Sequence, residues 1–157
     1  MPKTLTDWID LPPVWLALCM LVVWGFDQLM PWGLFGPSGR QAGAALGVIG
    51  LGLMAAAVTQ LLTARTTVVP RRQPQTLVTG GLFAWSRNPI YLADALILSA
   101  AILWWDVPVA VPLVFGFMFL IQHRFILREE KVLRAAFGPA YTQWAARTGR
   151  WFGRSLR

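Results

Sequence analysis

Followed residue by residue, the chain divides into long apolar runs separated by short charged stretches. Four of these runs approach the roughly 20 residues that an α-helix needs to cross a hydrocarbon core about 30 Å thick. The first extends from about Pro13 to Met30 and opens on the helix-starting pair Pro12-Pro13; the second, free of charge, runs from about Gln41 to Ala64. The third begins at Pro89 and ends near Trp105, and the fourth runs from about Val107 to His123. Only Asp106 and its neighbours separate the last two, which predicts a tight helical hairpin. Beyond the fourth run, Phe125, Ile126, Val132, Leu133, Ala136 and Phe137 recur at helical spacing and predict a further helix with one apolar stripe. The expected fold is all-α: an integral membrane bundle of about four transmembrane helices with a cytoplasmic C-terminal helical segment, forming a single domain over residues 1–157.

Composition agrees with this pattern. Hydrophobic residues make up 56% of the chain and charged residues 13%, and the mean hydropathy is +0.53, so lipid must form part of its solvent. The first run does not read as a signal peptide, because Asp7 and Asp10 spoil a basic leader region and no small-residue cleavage site follows Val23. The excess of 14 Lys and Arg over 7 Asp and Glu flanks the apolar runs, so it reads as membrane topology and not as a nucleic-acid surface. Arg65, Arg71, Arg72 and Arg87 lie between the second and third runs, eight basic residues follow the fourth, and only Arg40 falls on the other side. Both termini and the loop from Arg65 to Asn88 are therefore expected in the cytoplasm, as in a protein of a bacterial inner membrane.

Cysteine and histidine exclude several chemistries. Cys19 is the only cysteine and His123 the only histidine, so a disulfide framework, a cysteine-rich metal site, a zinc hydrolase and a histidine triad all lack their parts. Chemistry is left to a cofactor, to carboxylates or to arginine, with no metal expected. The Arg65-to-Asn88 loop carries Pro70, Pro74, Gly80 and Gly81 and is longer than packed helices need.

Three constellations stand out. In Arg87-Asn88-Pro89-Ile90-Tyr91-Leu92, Asn88 suits an N-cap and Pro89 the first helical position, leaving backbone N–H groups beside Arg87 as an anion site. The plainer reading is a cap, a snorkelling arginine and an interfacial tyrosine. Glu129 falls within the apolar stripe and needs a cationic partner, either a ligand or an arginine of the second loop such as Arg71 or Arg72. Glu130 is turned about 100° away and can reach Arg134 at an exposed i,i+4 spacing, so Glu129→Gln is expected to be the more damaging change. Asp94, in the third run, is an intramembrane carboxylate suited to a substrate contact, whereas Asp27 lies near the outer end of the first. Gly43 and Gly47 read as a helix-packing surface, and Gly50-Leu51-Gly52 as a weaker candidate for close approach by a cofactor. His123 reads as an interfacial side chain. Trp144, Arg147, Arg150, Trp151, Phe152 and Arg154 suggest an amphipathic tail on an anionic leaflet, or simply a solvated basic tail.

The run from Leu77, Thr79, Gly80 and Gly81 to Arg87-Asn88-Pro89-Ile90-Tyr91-Leu92 is followed by Arg128-Glu129-Glu130, Leu133, Phe137-Gly138-Pro139-Ala140-Tyr141 and Trp144. Together these resemble the isoprenylcysteine carboxyl methyltransferase and phospholipid methyltransferase superfamily, and Thr66-Thr67 and Pro70 resemble the lead-in of its bacterial members. Where many relatives carry Arg-His-Pro this chain has Arg87-Asn88-Pro89, as the phospholipid-type branch often does. The resemblance implies S-adenosylmethionine bound at the cytoplasmic side by Gly80, Gly81, Asn88, Pro89, Tyr91, Glu129 and Glu130. It also implies Arg87, Glu129 and Glu130 as catalytic residues. Asp94 and Tyr141 are the candidates for contact with a lipid or lipidated substrate entering from the bilayer. Two other classes compete. A small transporter or channel would use Asp94 and Asp27 but leaves the long loop and Glu129 without a role, and a noncatalytic relative would serve as a membrane partner.

Overall fold

The computed structural model describes residues 10–30, 33–66 and 74–153. Asp7, Thr67, Pro70, Arg71, Arg72 and Arg154, each given a role above, lie outside the described residues. The described residues form five α-helices: α1 (Pro12–Leu29), α2 (Gly36–Thr63), α3 (Pro89–Trp104), α4 (Val111–Ile121) and α5 (Leu127–Arg147). Short 3-10 turns at Gly81–Ala84 and Pro108–Ala110 and a π-helical turn at Gln122–Ile126 complete the regular structure. The fold is an all-α membrane bundle. Three helical stretches, Pro12–Leu29, Gly36–Thr63 and Pro108–Arg147, are long and apolar enough to cross a membrane, and Pro89–Trp104 is a shorter apolar helix that carries Asp94. Leu21, Leu29, Val48, Leu51, Phe115 and Phe119 point outward, an arrangement suited to lipid and not to water.

The chain folds as two compact units, one from Met1–Leu51 and Asp94–Leu120, the other from Gly52–Ala93 and Ile121–Arg157. In the first, Gly43 acts as a packing residue in the way its spacing suggests. A Cβ there would lie 2.8 Å from the Trp104 nitrogen and 2.9 Å from the Ala100 carbonyl, so only glycine lets α2 come this close to α3. Gly47 meets the Ala100 methyl at an ordinary 3.6 Å.

The hairpin after α3 closes on Asp106, whose φ of 57° is left-handed. Val107 N donates to the Ile102 carbonyl at 3.0 Å and Asp106 N to the Leu103 carbonyl at 3.3 Å, a helix-ending pattern that usually employs glycine. Aspartate is used because its carboxylate has a second task. Oδ1 accepts the N–H groups of Leu34 (2.9 Å) and Phe35 (2.8 Å), and Oδ2 that of Gly36 (2.8 Å), so it caps the otherwise unpartnered start of α2. Gly33 fits beside it only because it has no side chain: a Cβ would stand 2.6 Å from Oδ2.

The second unit is built around Phe83, Tyr141 and Trp144, with Leu61, Leu77, Val78, Leu133, Phe137 and Ala145 packed against them. Tyr141 and Trp144 meet edge to face at 5.8 Å, and Trp144 Nε1 donates to the Phe83 carbonyl at 2.9 Å. Two details shape α5. The π-helical turn before it carries an extra residue per turn and shifts the register of the helix beyond it. The expected stripe is accordingly incomplete: Phe125 and Ile126 are buried and Leu133 and Phe137 packed, but Val132 and Ala136 face outward. Farther along, Gly138 (φ 48°, ψ −119°) kinks the helix in a conformation accessible almost only to glycine, and Pro139 restarts it.

The backbone N–H groups of Phe35 and then Leu34 hold the Asp106 carboxyl below its ordinary pKa. Its contribution to stability is therefore complete above the unfolded aspartate value of about 3.9 and is lost as pH falls through the depressed folded value. Asp106→Ala should lower the melting temperature in detergent by a constant amount between about pH 8 and pH 5, with the gap to wild type narrowing below about pH 4. A gap that does not change with pH would show that the carboxylate's charge plays no part in the cap.

Candidate functional site

Pro89 begins α3 and is fully buried, fixing the direction of the first turn. The Asn88 carbonyl accepts the helical hydrogen bond of Leu92 N at 3.0 Å, as a residue at the helix start should. The Asn88 side-chain amide donates to the Arg150 carbonyl at 3.0 Å, and Asn88 N donates to Ser86 Oγ at 3.0 Å. The corner that presents Arg87 is thus held from both sides. Arg87 N donates to the Gly149 carbonyl at 3.0 Å, so the 148–153 loop forms its backing.

Glu130 occupies the centre of the cluster. It takes a bidentate pair from Arg150, Nε to Oε1 at 2.8 Å and Nη2 to Oε2 at 2.9 Å, and its Oε1 also lies 3.1 Å from Arg87 Nη1. The Glu130 and Arg87 side chains are only 12% and 13% exposed, so this is a largely desolvated ion cluster. The bidentate contact holds Arg150 even more firmly protonated than an ordinary arginine. Arg87 Nη1 also donates to the Tyr141 hydroxyl at 3.3 Å, and the Arg134 guanidinium lies 5.5 Å from the centre of the Tyr141 ring. The expected Glu130–Arg134 pair is therefore replaced: Arg134 stacks on the tyrosine, and Glu130 turns to the two arginines. Beside the cluster, the Tyr91 hydroxyl donates to Glu129 Oε1 at 2.6 Å.

Arg87, Asn88, Glu130 and Tyr141 accordingly form one network with Arg150, and Tyr91 and Glu129 form a hydrogen-bonded pair in the same unit. Asp94 is buried in α3 but belongs to the other unit. In that same unit Asp27 is half-buried and accepts a hydrogen bond from Gln28 at 2.8 Å. Gly81 (φ 56°) stands against Gln60, whose amide would lie 2.7 Å from a Cβ there, whereas no described residue lies within 4 Å of where a Gly80 side chain would stand. His123 is exposed in the π-helical turn.

The tail differs from the amphipathic segment expected of it. Trp144 is buried, Arg150 is paired with Glu130, and Trp151 Nε1 donates to Gln122 Oε1 at 3.1 Å, while Phe152 remains 73% exposed. The segment folds back and becomes part of the site. Sequence reasoning missed Arg150 because it is 20 residues from its partner, beyond the Gly138 kink. It also passed over Gln60, whose one visible signal is an amide inside a charge-free apolar run.

Two features bear on what the site could hold. Arg87 Nε is buried and has no hydrogen-bond partner among the described residues. The two guanidinium groups exceed the single carboxylate between them by one positive charge, and a second carboxylate, Glu129, stands next in sequence. A site with cationic and anionic parts side by side suits a zwitterion, and the amino-acid end of S-adenosylmethionine is one.

The described residues thus form an all-helical membrane bundle that carries a largely buried arginine–carboxylate cluster. The family model for phospholipid methyltransferases matches residues 39–140, about two thirds of the chain, and the protein belongs to that family. No curated protein and no solved structure matches it. The matched region includes Arg87, Tyr91 and both glutamates, and ends before Tyr141 and Arg150.

Removing the Glu130 charge would leave Arg87 largely buried without its counter-ion, which typically costs about 3–5 kcal/mol. Glu130→Gln should therefore lower the thermal stability of the purified protein well below that of wild type, whereas the larger loss of cofactor binding or turnover was expected from Glu129→Gln. A Glu130→Gln variant with the melting temperature of wild type would contradict the observed pairing.

Proposed function

We propose that the protein transfers the methyl group of S-adenosylmethionine to an amine of a phospholipid drawn from the bilayer, at the cytoplasmic face of the membrane. The observation that carries this reading is the buried Arg87 Nε, which has no hydrogen-bond partner among the described residues, in the same unit as the Tyr91–Glu129 pair. Family membership supports the reaction class, and the outward-facing apolar helices support a lipid acceptor.

When bound, S-adenosylmethionine supplies an electrophilic methyl on a positively charged sulfur and leaves as a neutral thioether. Arg87 offers its Nε–H to the cofactor carboxylate, its Nη1 being committed to Glu130 and Tyr141. Glu129, oriented by the Tyr91 hydroxyl, offers negative charge to an ammonium or sulfonium group. Gly80 keeps one face of the loop open to close approach. An amine acceptor must lose its proton before its lone pair can form the new C–N bond, and Glu129 or solvent can accept it. Desolvation and alignment supply the remainder, since transfer from a sulfonium needs neither histidine nor metal.

Arg87→Lys keeps a positive charge for Glu130 but removes Nε and the planar fork. With tritium-labelled S-adenosylmethionine and nanodiscs containing phosphatidylethanolamine, wild-type protein should label the lipid extract. Folded Arg87→Lys should lose about tenfold to a hundredfold in kcat/KM, the loss expected for a hydrogen bond to a charged group. A wild-type protein that labels no lipid, or a folded variant with wild-type kcat/KM, overturns the reading.

A further inference from the structure

Gln60 is a polar residue in the last turn of α2, in a stretch that lipid-facing residues such as Leu62 otherwise dominate. Its amide is used at both ends. Nε2 donates to the Gly80 carbonyl at 2.6 Å, and Oε1 accepts the N–H of Leu82 at 3.2 Å, so one side chain bridges the backbone on either side of Gly81. The fit is steric as well as polar, because a Cβ on Gly81 would lie 2.7 Å from Nε2 and 2.8 Å from Oε1. Gly81 also has a left-handed φ of 56°, which leaves glycine as the residue that satisfies both constraints.

The bridged turn leads directly to the site. The Gly80 carbonyl also accepts Phe83 N at 3.1 Å, and the Leu82 carbonyl accepts both Trp85 N and Ser86 N at 3.1 Å. Ser86 Oγ in turn accepts Asn88 N at 3.0 Å, and the Phe83 carbonyl accepts Trp144 Nε1. A displacement of Leu82 would thus be transmitted through Ser86 to the Arg87-Asn88 corner by hydrogen bonds alone.

We propose that Gln60 is a positioning residue for methyl transfer: from its transmembrane helix it clamps the Gly80-Gly81-Leu82 turn in the shape that receives S-adenosylmethionine. This rests on the reading of the Arg87 corner as the cofactor site. Gln60 does not touch the reacting atoms; it determines how the open backbone at Gly80 and the Arg87 side chain stand relative to one another.

Three proteins test the clamp: wild type, Gln60→Leu, which loses both hydrogen bonds, and Gln60→Glu. A protonated glutamic acid donates to the Gly80 carbonyl and accepts from Leu82 N–H as the amide does, whereas an ionised one has no donor for Gly80. Calorimetric titration with S-adenosylmethionine should show a Kd about tenfold higher for Gln60→Leu at every pH. For Gln60→Glu, affinity relative to wild type should lie near the Leu value at about pH 8 and rise toward unity as pH falls through the glutamic acid range, about 4.3 for an ordinary carboxyl. In cofactor-free protein, amide exchange at Leu82 should be faster in Gln60→Leu than in wild type. Unchanged Leu82 exchange would overturn the clamp itself. Faster exchange with an unchanged Kd, or a Gln60→Glu variant whose relative affinity ignores pH, would overturn its role in positioning. A wild-type protein that binds no S-adenosylmethionine would instead overturn the proposed function, with the exchange measurement still judging the clamp.

Discussion

The second unit depends on one carboxylate shared between two arginines. Glu130 on α5 is held bidentate by Arg150 and at 3.1 Å by Arg87, and so ties together three segments that are distant in sequence. A largely buried ion cluster is an expensive way to hold a fold together, because each charge gives up its hydration, and apolar packing would do so at least as well. Its presence is better explained by the group it leaves available. With Glu130 engaged on the Nη side of Arg87, Nε remains a buried donor with no acceptor among the described residues. An arginine held rigid by one carboxylate is preorganised for a second anion, and little conformational freedom remains to be lost on binding.

Lipid imposes the complementary constraint. Within a hydrocarbon core every backbone polar group must be satisfied internally, so irregular structure is confined to the ends of the helices. In the first unit this appears as Asp106, which ends one helix and caps the start of another with a single side chain. In the second it appears as the Gln60 amide and the 148–153 loop, both of which satisfy backbone groups that no helix can. The Gly149 carbonyl accepts Arg87 N, and the Arg150 carbonyl accepts the Asn88 amide, so the loop completes the corner from which Arg87 projects. Local satisfaction of the backbone and construction of the site are the same event here.

The helices were legible because their signals are local. Apolar runs, Pro12 and Pro89 at helix starts, Gly43 at a close crossing and the Asp106 turn each follow from a few neighbouring residues, and each appears where the pattern placed it. The composition of the site was legible by the same means, through Arg87-Asn88-Pro89 and Glu129-Glu130. Its pairing was not. Helical geometry offered Glu130 a partner at Arg134, four residues away, but the chain beyond the Gly138 kink supplies Arg150 instead, and Arg134 lies over the Tyr141 ring. Gln60 was invisible for a related reason: its partners are backbone atoms 20 and 22 residues away, which no side-chain pattern encodes. The apparently amphipathic tail misled because Trp144 is buried among this unit's own elements and Trp151, half-buried, donates to Gln122.

The central claim is that S-adenosylmethionine lies against the corner formed by the first turn of α3 and the glutamates of α5. Ultraviolet cross-linking of tritium-labelled S-adenosylmethionine to the purified protein, followed by mapping of the labelled peptides, tests it most directly. Label is predicted in peptides spanning Gly80 to Tyr91 or Glu129 to Tyr141, displaced by excess unlabelled cofactor. Displaceable label confined to other segments, such as the Pro12–Leu29 helix, would contradict it.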